Sequence, residues 1–251
     1  MIKENNLRKE VFQLRTTVDS EKKIIYKEAN SKSLVFLNSF IEKEKKLKKI
    51  KNISFNKIIN KKNNKIFFEY IEWKTFEDIL NSFNTEKEII DYINNNYINL
   101  INKFKTIKLD KNNYKKAISI FWNKILKIKN DDFIENGLLD LIFSNIIIDN
   151  NWKKHIIDYE WCFDFPINKK YIIWRAIYIF IVNLWLKNSK LNLDSIYKKL
   201  KKELDINYIN EYYYLIIEYN FQKYVNKSIP NIFTYIRVFY IMTKIRFKTK
   251  K

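Results

Sequence analysis

One glycine in 251 residues is the feature that most restricts what this chain can fold into. Glycine reaches left-handed backbone at no steric cost, so folds that depend on glycine turns are disfavoured. A glycine-rich loop for cradling phosphates is excluded outright. The two prolines do little to supply further breakers. Apolar residues make up 47 % and aromatics 17 %, enough for a sizeable core and too many for a disordered chain. The length suits one large domain or two modest lobes sharing a cleft.

A net charge of +20 could attract nucleic acid, anionic lipid or phosphorylated substrates. The wealth of Lys, Asn, Ile, Tyr and Phe is the mark of AT-rich coding, so most of this charge reads as solvated faces. The run Lys43, Lys45, Lys46, Lys48, Lys49 and the tail Lys244, Arg246, Lys248, Lys250, Lys251 are the two candidates for an anionic partner. Cys162 is the only cysteine, which rules out an internal disulfide and suits a reduced, cytoplasmic setting. The opening MIKENNLRKE has no apolar core and does not read as a signal peptide. The most apolar stretch, Tyr171–Leu186, is shorter than the ~20 residues of a spanning helix, and Arg175 and Asn183 interrupt it. It reads as a buried helix.

Along the chain, residues 10–18 and 23–29 alternate and carry β-branched side chains, which predicts two strands. Residues 31–49 predict a helix with Leu34, Leu37 and Ile41 inward, and 64–72 a further strand. The first strand lies so near Met1 that the small lobe is expected to be short. Thr75-Phe-Glu-Asp78 has the form of a capping box opening a helix. Residues 76–130 are mostly helical by periodicity. Residues 138–158 predict a loop, a strand, a polar turn and a strand. Helices follow near 171–187, 192–202, 207–225 and 230–246. The expected architecture is α+β, with a β-rich part over 1–74, a connector near 70–75 and a larger helical part over 75–251.

Within 138–158, Asp140, Asn145 and Asp158 stand out. A hairpin entered at Asn145 and left at Asp158 brings both oxygens to one end. Asp140 lies on the loop leading in, placed to accept a hydroxyl proton. Phosphoryl transfer from ATP needs little more than oxygen ligands for Mg²⁺ and a group orienting the acceptor hydroxyl.

These residues carry a resemblance to the protein-kinase-like superfamily, whose pattern is Asp, four residues, Asn, twelve residues, Asp, as found here. The resemblance implies a bilobal fold with a small β-rich N-lobe and a larger helical C-lobe, with ATP and Mg²⁺ as cofactors. It implies Asp140 as base or hydroxyl-orienting group and Asn145 and Asp158 as metal ligands. KIIYKEA is similar to the strand whose lysine grips the ATP phosphates, here Lys27. The glutamate pairing with it is expected on the next helix, at Glu44 in preference to Glu42. FFEYIEWKTFEDIL resembles the interlobe linker of aminoglycoside-phosphotransferase-like kinases, so the backbone of Glu69, Tyr70 and Ile71 is expected to read adenine. Trp73 stands where that linker commonly has glycine.

A narrower resemblance joins IKENNLRKEVFQLRTTV, FFEYIEW and the run Asp158-Tyr-Glu160-Trp161, Pro166, Trp174-Arg175-Ala176. It is to the kinase module of bacterial O-antigen chain-terminating kinase–methyltransferases. It implies a saccharide or small-molecule acceptor, a role in lipopolysaccharide biosynthesis, a methyltransferase or glycosyltransferase partner, and a place in the cytoplasm or at the inner face of the membrane. The chain departs from the protein-kinase pattern at Leu138, Ile142 and Tyr159-Glu160, where His, Lys and Phe-Gly are usual. These departures argue against a Ser/Thr protein kinase. They also leave open a pseudokinase that keeps the fold as an interaction module. Nucleic acid is disfavoured as a partner, since charge alone supports it. Glu160 is expected to pair with Arg175, Trp161 and Phe163 to pack, and His155 and Cys162 to be structural.

Overall fold

The computed structural model describes residues 1–121, 131–187, 189–232 and 234. The two predicted N-terminal strands form a hairpin: β2 (Leu14–Asp19) and β3 (Ile24–Ala29) pair antiparallel from Leu14↔Ala29 to Asp19↔Ile24. A short strand β1 (Ile2–Glu4) adds to its outer edge. The order of the five-stranded sheet is β1-β2-β3-β6-β5, with β5 at Ile58–Lys62 and β6 at Lys65–Phe68. Glu10–Phe12, expected in a strand, is instead a 3₁₀ turn. Phe12 turns inward there against Phe36, Trp161 and Tyr224, so extended backbone begins only at Leu14.

Helix α1 (Leu34–Leu47) lies on this sheet through Leu37, Phe40 and Leu47. Phe40 sits 5.8 Å from both Phe68 and Tyr159, and burying one such ring contributes about 1.5–3 kcal/mol. The lysine run on α1 is not a free patch. Lys43 donates to Glu160 O, Lys46 to Asn136 O and Phe163 O, Lys45 meets Glu42 and Lys48 meets Glu44. The lysine tail and the predicted helix at 230–246 lie outside the described residues, apart from Asn231, Ile232 and Thr234.

The predicted strand at 64–72 ends at Phe68, and residues 69–73 form the connector. It leads into β7 (Lys74–Thr75) and α2 (Phe76–Asn81). Thr75 caps α2 as its sequence predicts, with its Oγ1 accepting from Asp78 N at 3.0 Å and its N–H donating to Asp78 Oδ2 at 3.1 Å. Trp73 has φ 140, in the region that favours glycine. Next, α3 (Glu86–Tyr92) runs through a π-helical turn (Ile93–Ile98) into α4 (Asn99–Ile101). The helical expectation for 76–130 misses β8 (Thr106–Ile107), which precedes α5 (Lys111–Phe121). Strands β8, β9 (Phe133–Ile134) and β12 (Ile167–Asn168) form a small sheet in the order β12-β9-β8.

The predicted hairpin is present as β10 (Ile146–Ile148) and β11 (Lys154–Ile156). It sits in a second sheet, β4-β11-β10-β7, with β4 at Ser54–Phe55. This sheet ties the connector and the end of the α1 region to the hairpin. Helices α6 (Lys169–Leu186), α7 (Leu193–Glu203) and α8 (Tyr208–Val225) follow. α6 is buried on most of its surface, as its all-round apolar sequence requires. No described helix is long and apolar enough to cross a membrane.

Candidate active site

The loop ahead of the hairpin is shaped by the single glycine. Gly137 takes φ +58, and a Cβ there would meet Phe165 O at 2.2 Å. From it the chain pairs with the segment after the hairpin: Phe163 N donates to Gly137 O at 2.9 Å and Leu139 N to Trp161 O at 2.9 Å. Arg175 reaches Leu139 O and Tyr97 OH reaches Leu141 O at 2.7 Å. Asp140, between them, is 5 % exposed. Its Oδ2 accepts Trp161 N–H at 2.7 Å, and Asn145 Nδ2 donates to its carbonyl at 3.2 Å. Burial and the nearby Asp158 push the Asp140 carboxyl up to about 7.

Asn145 and Asp158 flank the hairpin, and Ile157 N–H donates to Asn145 O at 2.9 Å. Asp158 faces Lys27 of β3 at 3.3 Å and keeps about a third of its side chain exposed, at 32 %. Lys27 also contacts Glu160 closely. Burial alone would lower the Lys27 ammonium, but Asp158 and Glu160 overcome it and raise it. Glu160 is likewise buried, yet Lys27 and Arg8 hold it down to about 2. Burial and Glu160 raise Asp158 against the pull of Lys27.

Two expected pairings are corrected. Glu44 does not meet Lys27. Its carboxylate accepts Ile58 N–H at 2.7 Å and pairs with Lys48 at 3.0 Å. Glu160 takes its place because the segment after the hairpin carries it to Lys27. Nor does Glu160 meet Arg175, which is bound to Glu218 at 2.9 Å within the helical core. Glu69 N–H donates to Lys57 O at 2.8 Å, while Tyr70 and Ile71 lie half-buried in the connector.

Arg8 was not legible as a site residue. It lies in the β1–β2 loop and donates to Glu160 Oε2 at 2.5 Å, 152 residues away in sequence. That loop is fastened to the end of α8: Lys9 N donates to Val225 O at 2.8 Å and Lys227 N to Leu7 O at 2.9 Å. Behind Glu160 lies a cavity of about 420 Å³ whose walls include Phe36, Lys43, Trp161, Phe163 and Tyr224. Trp161 packs against Phe12, Phe36 and Phe221 there. Burial lowers the Lys43 ammonium to about 8.

Three carboxylates, Asp140, Asp158 and Glu160, thus gather with the cations Lys27 and Arg8, and the charges of Lys43 and Arg175 also act on the cluster. Asn145 spends its amide nitrogen on the loop, and its oxygen makes no hydrogen bond to a described residue. The hard oxygen donors of Asn145 and Asp158 suit Mg²⁺. Among the described residues no group of three or more His, Cys, Asp or Glu could hold a metal unaided, so further oxygens would have to come from a ligand.

The chain superposes on the ADP-bound crystal structure of aminoglycoside phosphotransferase APH(2'')-Ib with a TM-score of 0.51. The match covers 91 % of this chain and 88 % of that one, at 12 % identity. The chain has a bilobal α+β fold of the kinase-like kind. At that identity the kinase-like assignment speaks to the fold. The streptomycin–ATP–APH(2'')-IIa ternary complex matches at 0.49 over 97 % of this chain and 93 % of that one, with 12 % identity. The Plasmodium vivax ethanolamine kinase Pv091845 matches at 0.46 over 98 % and 81 %, with 17 % identity. No family model and no curated protein sequence matches the chain.

Proposed function

We propose that the chain is an ATP- and Mg²⁺-dependent phosphotransferase acting on a sugar or other small-molecule hydroxyl, with lobes meeting at residues 74 and 75. The observation that carries this reading is the meeting of Lys27, from β3, with Asp140, Asn145 and Asp158, from the stretch around the hairpin, in a kinase-like fold. In it, Lys27 binds the nucleotide phosphates, with Glu160 in the partner role expected of Glu44. The backbone of Glu69–Ile71 borders the adenine. Asn145 Oδ1 and the Asp158 carboxylate hold Mg²⁺, the phosphates completing its oxygen shell. When bound, Mg²⁺ supplies charge neutralisation to the transferring phosphoryl group. Asp140, poised near neutrality, accepts the acceptor hydroxyl's proton.

The narrower assignment is to a saccharide acceptor in cell-surface polysaccharide synthesis, with a methyltransferase or glycosyltransferase partner at the cytoplasmic face of the membrane. Its support is the Asp158–Trp161 run and the aromatic cavity behind Glu160, whose size suits a monosaccharide. The test follows transfer of labelled γ-phosphate from ATP to pooled sugar acceptors. Asp140→Asn should slow transfer by roughly 10²–10⁴-fold with ATP binding retained. Unchanged transfer would remove Asp140 from the chemistry.

A second reading, an interaction module without turnover, is favoured by one observation. Arg8 already supplies a cation to the acidic cluster from a loop fastened to α8. It predicts no label transfer to any acceptor from a chain that still binds nucleotide.

A further inference from the structure

The turn of the β10–β11 hairpin lies at the end away from Asn145 and Asp158. Asp149 folds it: its Oδ1 accepts the N–H groups of Asn151 and Lys153, each at 2.9 Å. Its Oδ2 meets His155 Nε2 at 2.8 Å, and His155 Nδ1 lies 3.0 Å from Ser54 Oγ. His155 is thereby committed to holding the turn. Trp152 leaves this turn at φ 59 with its ring 73 % exposed. A bulky residue in left-handed backbone costs about 1–2 kcal/mol relative to glycine, and nothing in the packing returns it. Asn52, on the facing loop, is also left-handed at φ 64.

These loops and the helical segment beside them border a half-open cavity of about 380 Å³ whose lining includes Ser54, Asn96, Asn99, Trp152, Lys103, Lys153 and Lys154. No Asp or Glu lines it. Among the described residues none of its three lysines pairs with a carboxylate. Nearby lysines behave differently: Lys105 pairs with Glu135 at 3.0 Å and Lys108 with Asp132 at 2.9 Å. Lys154 is half-buried, and burial together with the charge of Lys103 lowers its ammonium. Like charges gathered without counter-charge around a concave space favour an anion there. The asparagines and Ser54 offer amide and hydroxyl groups that match ring hydroxyls, and Trp152, with Ile53 and Leu100, offers apolar surface.

We propose that this cavity binds a phosphorylated, hydroxyl-bearing small molecule of the sugar-phosphate class. Lys103 and Lys154 hold the phosphate, the asparagines meet hydroxyls, and Trp152 covers the ring. The half-open cavity gathers its lysines around one concave space, which favours a small molecule over an extended polyanion, since that needs a track of cations. Lys154 lies four residues from Asp158, ~13 Å along extended backbone. The site is therefore separate from the phosphotransfer cleft and does not depend on the function proposed for it.

The test is calorimetric titration of the full chain with glucose 6-phosphate, glucose and inorganic phosphate. Glucose 6-phosphate should saturate the native chain, with weaker binding of inorganic phosphate and none of glucose. Lys103→Gln/Lys154→Gln should weaken glucose 6-phosphate by at least about tenfold with the melting temperature kept. Trp152→Gly suits the left-handed backbone, so weaker binding there reports the lost ring contact and not a folding defect. Absence of saturation up to about 10 mM, or equal affinity in native chain and both variants, would overturn the proposal. So would glucose or inorganic phosphate binding as tightly as glucose 6-phosphate. Tight binding of single-stranded RNA lost in the same lysine variant would reassign the patch to nucleic acid and also overturn it.

Discussion

Glu218 offers a test of how the helical core holds the Asp140 loop in place. Its carboxylate accepts from Arg175 Nε at 2.9 Å, Tyr171 OH at 2.7 Å and Gln222 Nε2 at 2.8 Å. The Arg175 and Glu218 side chains are only 7 % and 4 % exposed. Glu218→Ala therefore leaves a buried guanidinium without its paired carboxylate, with Leu139 O at 3.4 Å, the face of Phe221 and the more distant charge of Asp140 remaining. Breaking such a pair from one side costs about 3–5 kcal/mol, and the lost Tyr171 bond adds about 1 kcal/mol. For a chain of this size the melting temperature should fall by roughly 8–24 °C. Scanning calorimetry reads this directly. Removing both charges in Arg175→Met/Glu218→Leu should recover at least about 2 kcal/mol of the loss, since a well-packed apolar pair avoids the desolvation of both ions. The single variant should also speed hydrogen exchange at Leu139 and Leu141, on either side of Asp140. A single variant within about 1 kcal/mol of the native chain, or a double no more stable than the single, would refute the reasoning.

Three further outcomes follow from the same geometry. Gly137→Ala places a Cβ 2.2 Å from Phe165 O and 2.7 Å from Phe163 O in left-handed backbone, so urea unfolding should report a loss of about 2–4 kcal/mol with an unchanged slope. Lys43, lowered to about 8 by burial, becomes neutral as pH rises through 8. Acylation at this lysine, read by peptide mapping, should outpace that of exposed lysines between pH 7.5 and 9, near the ordinary lysine range of about 10.4. Equal labelling would show that the amine is not held in that environment. Arg8→Ala removes the tie to Glu160, and exchange at the Lys9 and Lys227 amides should quicken by mass spectrometry. Unchanged exchange would mean that the backbone contacts alone hold the loop.

Much of the fold was legible because its longest signals are local. The β2–β3 hairpin, α1, the β10–β11 hairpin and α6 each carry their period within a short window, and the Thr75 cap is a four-residue signal. β5 was not legible, because Asn60, Lys61 and Lys62 give it a polar face. The 3₁₀ turn at Glu10–Phe12 depends on aromatic partners far along the chain, which no local window contains. The same reason separates the readable from the unreadable parts of the site. The Asp140, Asn145 and Asp158 spacing lies within one stretch. The partners of Lys27 do not: helix position made Glu44 the natural choice, whereas the segment after the hairpin delivers Glu160. Arg8 reaches that cluster only because its loop is fastened to α8, a contact set by tertiary structure.

The central claim is that Lys27, Asn145 and Asp158 form a Mg²⁺-dependent nucleotide site. The most direct measurement is calorimetric titration of ATP into the native chain and Asp158→Ala, each with and without Mg²⁺. The account predicts binding that Mg²⁺ strengthens, and an Asp158→Ala affinity lower by at least about tenfold in Mg²⁺, with the fold retained. Binding that ignores both Mg²⁺ and the substitution, or no binding of ATP at all, would contradict it.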